Sequence, residues 1–208
     1  EDLKAVQDNS MLLLYRLLFI SYAESRGLLD TSNRYYHDMS LQEMKKEIAT
    51  RIDTGGFLAP FSYAYWGKLN NLFDLINEGS ESDRWRIDRN VFYIPAYNGG
   101  LFDPAKNTFL TTKHVSDPYL AEALDLLARS EKAMVDYSSL DIKHLGAIYE
   151  GLLEYKLTPD LNLLTDRGER KATGSFYTPD PEVKHIVEST IGPVLAQHMH
   201  QGEPVRWR

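Results

Sequence analysis

The sequence predicts a mainly α-helical protein with a small central β-hairpin or loop platform, followed by the first helix of a truncated α/β fold. Three observations lead to this prediction. Apolar residues recur every three or four positions through much of the 208 residues, which is the spacing of a helix face. Short β-branched and aromatic runs surround Asn98-Gly99-Gly100 within residues 85–104. A last clean helical stripe follows a Thr-Pro step near the end of the chain.

The composition is that of an acidic, cysteine-free globular protein, with 43% hydrophobic and 25% charged residues. A net charge of -7, with no basic run longer than Lys45-Lys46, argues against a dedicated nucleic-acid-binding surface. The lack of cysteine excludes disulfides and suits a reducing cytoplasm. The most apolar run, residues 11–20, contains Arg16 and is shorter than the roughly 20 residues of a membrane span. We therefore expect a cytoplasmic protein with no membrane partner.

The first predicted helix runs from Leu3 to about Arg26. Apolar residues on several sides of it predict a helix buried in the centre of the fold. Gly27 follows, in the position that glycine often takes at a helix C-terminus. Residues 30–40 are rich in polar side chains and predict a loop.

Two further helices are predicted in the N-terminal half. Ser40 is placed to cap a helix that runs through Thr50, with Glu43 completing a capping box. Residues 54–60 break the chain, and the next helix spans Tyr63 to Ile76. The predicted buried face of that helix consists of Leu69, Leu72, Phe73 and Ile76.

The central stretch, residues 85–104, differs from the helical segments. Its short runs surround Asn98-Gly99-Gly100, a tight-turn signal, and predict a small hairpin or loop platform. Its aromatic residues and arginines can stack on bases and touch phosphate. The alternative, a small core beneath a hairpin, is favoured because neighbouring aspartates dilute the positive charge. The aromatic residues are Trp85, Phe92, Tyr93, Tyr97 and Phe102, and the arginines are Arg84, Arg86 and Arg89.

Helices resume after the central stretch. Asp117 is predicted to cap a helix that has Pro118 at its first position and runs to about Arg129. Another helix spans Leu140 to Leu157, with an apolar face directed inward. Residues 158–173 have weak periodicity and predict a connector.

The last helix has the clearest apolar stripe of the chain. Thr178 is a natural N-cap and Pro179 a natural first residue, and Gly192-Pro193 is expected to bend or end the helix early. The free N–H groups at such a start favour an anion, and the preceding Phe176-Tyr177 pair offers an apolar wall. The alternative is that Thr178 is only a cap. The stripe consists of Val183, Ile186, Val187, Thr190, Ile191 and Val194.

Four stretches, taken together and in order, carry a resemblance to a known family. They are LLYRLLFISYAESRGLL (residues 13–29), AYNGGLFDP (residues 96–104), LGAIYEGLLEYKL (residues 145–157) and GSFYTP (residues 174–179). The chain resembles the gamma-type adenine-specific DNA methyltransferases, and more narrowly the fused type II restriction–modification enzymes and their phage-defence relatives. The resemblance implies a prokaryotic cytoplasmic protein in which a helical region precedes the methyltransferase domain.

The resemblance also implies an S-adenosylmethionine site at the start of the last helix. The threonine of the Tyr-Thr-Pro motif is expected to contact the methionine carboxylate, and the aromatic residues are expected to border the cofactor. A carboxylate beside a helix N-terminus and a threonine hydroxyl is a sound electrostatic pairing. The implied cofactor-binding residues are Gly174, Ser175, Phe176, Tyr177, Thr178 and Pro179.

The sequence departs from the family in two motifs. It lacks the glycine-rich Asp-Pro-x-x-Gly-Ser-Gly loop that cradles the cofactor and the catalytic Asn-Pro-Pro-Tyr that binds the flipped-out adenine. We therefore expect a helical scaffold over residues 1–157, a linker over 158–173 and the N-terminal piece of a methyltransferase domain over 174–208. Such a fragment has no catalytic residues and is expected to be inactive alone. Its expected partners are the remainder of the methyltransferase domain, a target-recognition domain and, through the parent protein, double-stranded DNA.

A different hypothesis is a stand-alone, non-enzymatic helical interaction module. The two hypotheses differ at the last helix, because a fragment leaves the apolar stripe exposed and a finished protein buries it.

A metal-dependent nuclease agrees less well with the sequence. Pro159-Asp160 and Glu169-Arg170-Lys171 have a conceivable spacing, but the flanking residues lack the β-rich run that places both carboxylates on adjacent strands. His185, His198 and His200 are expected to be solvated surface side chains, so no metal ligand is predicted.

Overall fold

The computed structural model describes residues 2–97, 99–140, 142–160, 162–165, 178 and 180–201. Its fold is mainly helical, which confirms the predicted class. The helices are α1 (Leu3–Ser25), α2 (Arg34–His37), α3 (Leu41–Asp53), α4 (Ala64–Glu78), α5 (Thr108–Thr112), α6 (Asp117–Ala128), α7 (Ile142–Leu152) and α8 (Asp180–Gln201), and a 3-10 helix covers Tyr137–Ser139. Small sheets pair β1 (Arg129–Ser130) with β2 (Ala133–Met134), and β3 (Tyr155–Leu157) with β4 (Leu163–Thr165).

The chain divides into two compact units. The first comprises residues 1–145 and 156–164, and the second comprises residues 146–155 and 165–208. Among the helices described, none has the length and apolar character needed to cross a membrane.

The core of the first unit is built from the inner faces of α1, α3, α4 and α6. Each fully buried leucine or isoleucine there contributes about 1.5–3 kcal/mol by leaving water. The predicted inner face of α4 is confirmed, because all four of its residues are buried. The side chains that these four helices bury most completely include Ile20, Ile48, Leu69, Leu72, Leu75, Ile76, Leu120 and Leu124.

The predicted end of α1 is also confirmed. Gly27 adopts a positive φ of 69°, which a residue with a side chain rarely tolerates. The N–H of Gly27 donates to the carbonyl of Glu24 at 3.0 Å, and the N–H of Leu28 donates to the carbonyl of Ala23 at 2.9 Å. This is the Schellman arrangement, and it satisfies carbonyls that the end of the helix would otherwise leave unpaired.

The predicted loop at residues 30–40 contains a short helix, so that prediction was wrong in part. α2 begins where the side chain of Asn33 accepts a hydrogen bond from the N–H of Tyr35 at 3.0 Å. Tyr36 is fully buried, and its ring stacks on Phe92 with centroids 5.8 Å apart. Burial of the Tyr36 side chain stabilises a helical turn in this otherwise polar segment.

The predicted N-cap of α3 is confirmed, because the Ser40 hydroxyl accepts a hydrogen bond from the N–H of Glu43 at 3.2 Å. The helix continues to Asp53 rather than ending at Thr50. The second half of the predicted capping box is replaced, since the N–H of Ser40 donates to the carbonyl of His37 at 3.1 Å.

The predicted role of Asp117 was wrong. Ser116 precedes α6, and Asp117 is its first residue, so Pro118 takes the second position. The Asp117 carboxylate instead accepts hydrogen bonds from the backbone N–H groups of Ala64 at 3.2 Å and Tyr65 at 2.9 Å. Asp117 therefore caps α4, because the first turn of any helix has N–H groups without intrahelical partners.

The central stretch is a loop platform. Residues 85–97 and 99–104 form turns and extended segments without a strand, and Asn98 lies outside the described residues. The platform is fixed by Ser80, whose hydroxyl accepts from the N–H of Ile94 at 3.0 Å. Phe92 and Phe102 are buried in the core, with Trp85 and Tyr97 packed against it. These positions support the small-core interpretation over base stacking, and Tyr93 alone of the five aromatic residues is exposed.

The predicted helix at Leu140–Leu157 is too long. α7 ends at Leu152, and the last predicted residues form β3, whose partner β4 falls inside the predicted connector. The N–H of Leu157 donates to the side-chain oxygen of Gln7 at 2.8 Å, a contact 150 residues apart in sequence. Such a long-range contact favours the extended conformation over further helix, and local periodicity does not report it.

Candidate functional site

The predicted cofactor site lies at the start of α8. Thr178 is exposed and precedes the helix, which begins at Asp180. Thr178 thus lies one position further from the helix than predicted for an N-cap, a difference within the usual scatter of helix ends. The other implied cofactor-binding residues, Gly174, Ser175, Phe176, Tyr177 and Pro179, lie outside the described residues.

The first turn of α8 is acidic in sequence. It contains Asp180 and Glu182, which suit the positive end of the helix dipole. An amino-acid ligand carries both a carboxylate and an ammonium group. The N–H groups at this helix start suit the carboxylate, and an exposed acidic side chain such as Glu182 suits the ammonium group.

The apolar stripe of α8 is open to solvent. Its valines and isoleucines are between 42% and 54% exposed, which is high for large aliphatic side chains on one helix face. At 1.5 Å per residue, the stripe extends about 16 Å along the helix. The exposed residues are Val183, Ile186, Val187, Ile191 and Val194.

Gly192-Pro193, expected to bend or end the last helix, does not end it, because α8 continues through Pro193 to Gln201. A proline removes one backbone hydrogen bond and costs about 3 kcal/mol inside a helix. The carbonyl of Ser189 consequently lacks its usual donor from residue 193. Helical bonds on both sides of this position keep the two segments continuous.

A second candidate site is a buried carboxylate that the sequence did not identify. Glu24, near the end of α1, accepts hydrogen bonds from the Tyr36 hydroxyl at 2.7 Å and from the N–H groups of Leu41 at 2.7 Å and Gln42 at 2.9 Å. Glu24 therefore completes the N-terminus of α3 from another helix. Burial raises the pKa of Glu24, and these hydrogen bonds oppose that effect.

A buried ammonium group lies beside this carboxylate. Lys45 donates to the Ser21 hydroxyl at 3.1 Å, and its nitrogen lies 4.7 Å from the centre of the Tyr137 ring. Burial lowers the pKa of Lys45, and the charge of Glu24 opposes that shift. A cavity of about 320 Å³ borders both charged groups. Paired perturbed groups in a cleft can mark a functional site, but here each has structural partners that account for it.

Arg16 is the second buried charge of α1. Its Nε donates to the carbonyl of Leu101 at 2.7 Å, and its guanidinium carbon lies 4.9 Å from the centre of the Phe73 ring. Burial lowers the pKa of Arg16, and Asp74 partly offsets this. Arg16 thereby fastens the central loop platform to α1, which explains a charge in the middle of an apolar run.

The part of the chain that the structure describes contains no group of three or more histidine and acidic side chains placed to hold a metal ion. Asp160 is exposed, and the Glu169-Arg170-Lys171 segment lies outside the described residues. His185 is an exposed side chain on α8, as expected from the sequence.

None of the known protein-family models, curated proteins or solved structures compared with this chain matches it. We therefore infer its function from its own motifs and geometry.

Proposed function

We propose that this chain is the helical scaffold and the start of the cofactor site of a DNA adenine-N6 methyltransferase in a type II restriction–modification protein. It contributes one wall of the S-adenosylmethionine site and is inactive alone. The glycine-rich loop, the catalytic motif and the target-recognition domain belong to the rest of the parent. The parent reaction transfers a methyl group to the exocyclic amine of an adenine that is flipped out of double-stranded DNA.

The observation that carries this proposal is the exposed apolar stripe of α8, directly after the Tyr-Thr-Pro motif. The helices of an α/β fold bury one apolar face against a sheet. α8 presents such an apolar face to solvent, which supports the proposal that the rest of the parent supplies the sheet. A stand-alone interaction module fits an exposed stripe only if the stripe itself docks a partner.

The residues at the start of α8 fit the amino-acid end of the cofactor. The exposed hydroxyl of Thr178 can donate to a carboxylate, and the first-turn N–H groups can share the negative charge. Glu182 can accept from the ammonium group, and Phe176 and Tyr177 would exclude water from one side. When bound, S-adenosylmethionine supplies the electrophilic methyl group; this chain only binds and orients it.

The first unit suits a scaffold that holds other domains in register. α3 and α4 each begin at a carboxylate supplied by another helix, Glu24 and Asp117 respectively. Such cross-helix caps resist sliding of one helix along another, since movement would leave buried polar groups unpaired.

The coding sequence that follows Arg208 tests the proposal. We expect Asp-Pro-x-x-Gly-Ser-Gly and then Asn-Pro-Pro-Tyr in the same reading frame, and methylation of adenine in duplex DNA by the purified parent. A stop codon directly after Arg208 would overturn the methyltransferase function and leave the interaction module as the working hypothesis.

A further inference from the structure

The most exposed large apolar side chains of the first unit lie on two neighbouring elements. Phe61 is 88% exposed, Phe57 81%, Leu126 75% and Tyr119 72%, the four highest values for large apolar side chains in the described residues. Phe57 and Phe61 belong to the segment between α3 and α4, whereas Tyr119 and Leu126 belong to α6. Together with Glu122 and Ala123, these four residues are called the α6 surface below. Exposed apolar clusters of this kind mark binding sites.

Hydrogen bonds at both ends hold the segment along α6. Arg129, directly after α6, donates from one nitrogen to both carboxylate oxygens of Asp53, each at 2.8 Å. At the other end, the N–H of Asp117 donates to the carbonyl of Ser62 at 2.8 Å. The segment from Asp53 to Ser62 therefore runs beside α6, from its C-terminal end to its N-terminal end. The segment and α6 are therefore neighbours at both ends of the helix.

The segment is also fixed internally. Gly55 has a positive φ of 67°, and its N–H donates to the carbonyl of Ile52 at 3.0 Å. The N–H of Gly56 donates to the carbonyl of Arg51 at 2.7 Å, which completes a Schellman turn. Leu58 packs against the core between the two exposed phenylalanines. The backbone of this segment is already ordered. When a partner covers Phe57 and Phe61, the segment therefore loses little conformational entropy.

The outer face of α6 has the spacing that receives another helix. Tyr119, Glu122, Ala123 and Leu126 follow at i, i+3, i+4 and i+7, and all four are exposed. Ala123 lies at the centre of this face, where a small side chain permits close approach of a second helix backbone. The opposite face of α6 is already buried in the core.

The negative charge of this face favours one class of binding partner over others. The carboxylate of Glu122 has no cation within 4 Å among the described residues, whereas Asp125 is held by Arg129 at 2.7 Å. A twofold pair of α6 helices would place the two Glu122 side chains at its centre, where like charges repel. A phosphate backbone is disfavoured for the same reason. A lysine or arginine opposite Glu122 is attracted instead.

We propose that the α6 surface binds an amphipathic helix of a partner protein, whose apolar face covers Phe57, Phe61, Tyr119 and Leu126 and whose lysine or arginine faces Glu122. This inference does not depend on the methyltransferase proposal, because it uses a different unit of the chain from the α8 stripe.

Two synthetic helical peptides test the inference. Both carry leucine at i, i+3, i+4 and i+7; one has flanking lysines and the other flanking glutamates. Fluorescence anisotropy with the whole chain should show binding of the lysine peptide about tenfold tighter than that of the glutamate peptide. Leu126→Lys should weaken the lysine peptide about tenfold, and Glu122→Gln should remove most of the preference between the peptides. Tyr119→Ser provides a second variant if Leu126→Lys lowers the thermal midpoint.

Leu28→Lys is the matched control, because Leu28 is a 59% exposed leucine of the first unit outside the α6 surface, and it should leave binding of the lysine peptide unchanged. Equal binding of the two peptides, or a loss with Leu28→Lys as large as with Leu126→Lys, would overturn the inference. Sedimentation at micromolar concentration should show a monomer; a dimer that Leu126→Lys dissociates would assign the surface to a second copy instead.

Discussion

The carboxylate of Asp117, at the start of α6, accepts a hydrogen bond from the backbone N–H of Tyr65 at the start of α4, with the two atoms 2.9 Å apart. The same carboxylate binds the N–H of Ala64 and the hydroxyl of Ser62. Tyr63, which precedes α4, forms no side-chain cap of its own. Asp117 is buried, so these bonds replace the water that its carboxylate loses on folding.

Removal of this cap should destabilise the protein. Asp117→Ala leaves the buried N–H of Tyr65 and the N–H of Ala64 without their acceptor, so we expect a loss of about 1–3 kcal/mol in the free energy of unfolding. Ser116→Ala is the matched control, because Ser116 forms no side-chain cap on α6, and it should change stability by less than about 0.5 kcal/mol. Urea unfolding of both variants checks the prediction. Equal losses of unfolding free energy in the two variants would mean that the Asp117 cap on α4 contributes no more than Ser116 at the start of α6.

Ionisation of Glu24 should weaken the fold as the pH rises. Its pKa is raised above the usual 4.5, mainly by burial, so the folded chain holds this proton more tightly than the unfolded chain. The stability contributed by Glu24 is therefore present below pH 4.5 and declines as the pH rises through the folded-state pKa. Tyr36 and Lys45 are the titratable groups that face it.

Unfolding of the wild type and Glu24→Gln by urea between pH 4 and pH 8 measures this contribution. The free energy of unfolding of the wild type minus that of the variant should decrease as the pH rises from about 4.5. An increase instead would mean that the N–H groups of Leu41 and Gln42 outweigh burial and hold the folded-state pKa below 4.5.

If the proposed function holds, the threonine of the Tyr-Thr-Pro motif contributes to cofactor affinity in the proposed parent protein. Thr178→Ala should weaken S-adenosylmethionine binding by about fivefold, roughly 1 kcal/mol, from the loss of one charge-assisted hydrogen bond. Calorimetry measures this, with Thr190→Ala as control, because the Thr190 hydroxyl donates to the Ile186 carbonyl within α8. Unchanged affinity in Thr178→Ala would mean that Thr178 does not contact the cofactor and serves only at the start of the helix.

The chain without the rest of its proposed parent should bind S-adenosylmethionine weakly or undetectably. In the proposed function it contributes only the start of α8 to the site, and the sequence contains no Asp-Pro-x-x-Gly-Ser-Gly loop to hold the rest of the cofactor. Calorimetric titration of the purified chain checks this expectation. Tight binding would mean that these residues already form most of the site.

The exposed α8 stripe should make the isolated chain bind hydrophobic ligands. Ile186→Lys combined with Val194→Lys should lower the binding of a fluorescent hydrophobic dye, since both side chains are about half exposed. Lys184→Glu is the control, because it changes charge on the same helix outside the stripe. A drop in the thermal midpoint of the double variant would show instead that the stripe packs within the fold.

Periodicity predicted the principal helices and the inner face of α4, because the burial of Leu69, Leu72 and Ile76 follows directly from a period of 3.6 residues. Glycine and serine marked the end of α1 and the start of α3 by local hydrogen bonds. Contacts between distant residues could not be predicted in this way. From sequence alone, Asp117 is compatible with capping its own helix, α6, or a distant helix. The packing of α6 against α4 decides that it caps α4.

The same limit explains the other differences. β3 and β4 are three residues each, too short to give an alternating pattern. Tyr36 converts a polar loop into α2 because its partners, Glu24 and Phe92, come from other parts of the chain. Of the candidate cofactor site, the sequence predicted the last helix, its stripe and Thr178 beside its start, but left open whether the helix continues through Pro193.

The separation between Asp117 and Tyr65, 52 residues, has a consequence for how this protein is made. A ribosome delivers the chain from its N-terminus, so the first turn of α4 emerges well before the carboxylate that completes it. Until α6 follows, that turn has only water as its acceptor, and the apolar face of α4 has no α6 to cover it. A pause in translation between these helices would prolong this state and expose the nascent chain to aggregation. In Asp117→Ala the first turn of α4 would still lack this acceptor after synthesis is complete.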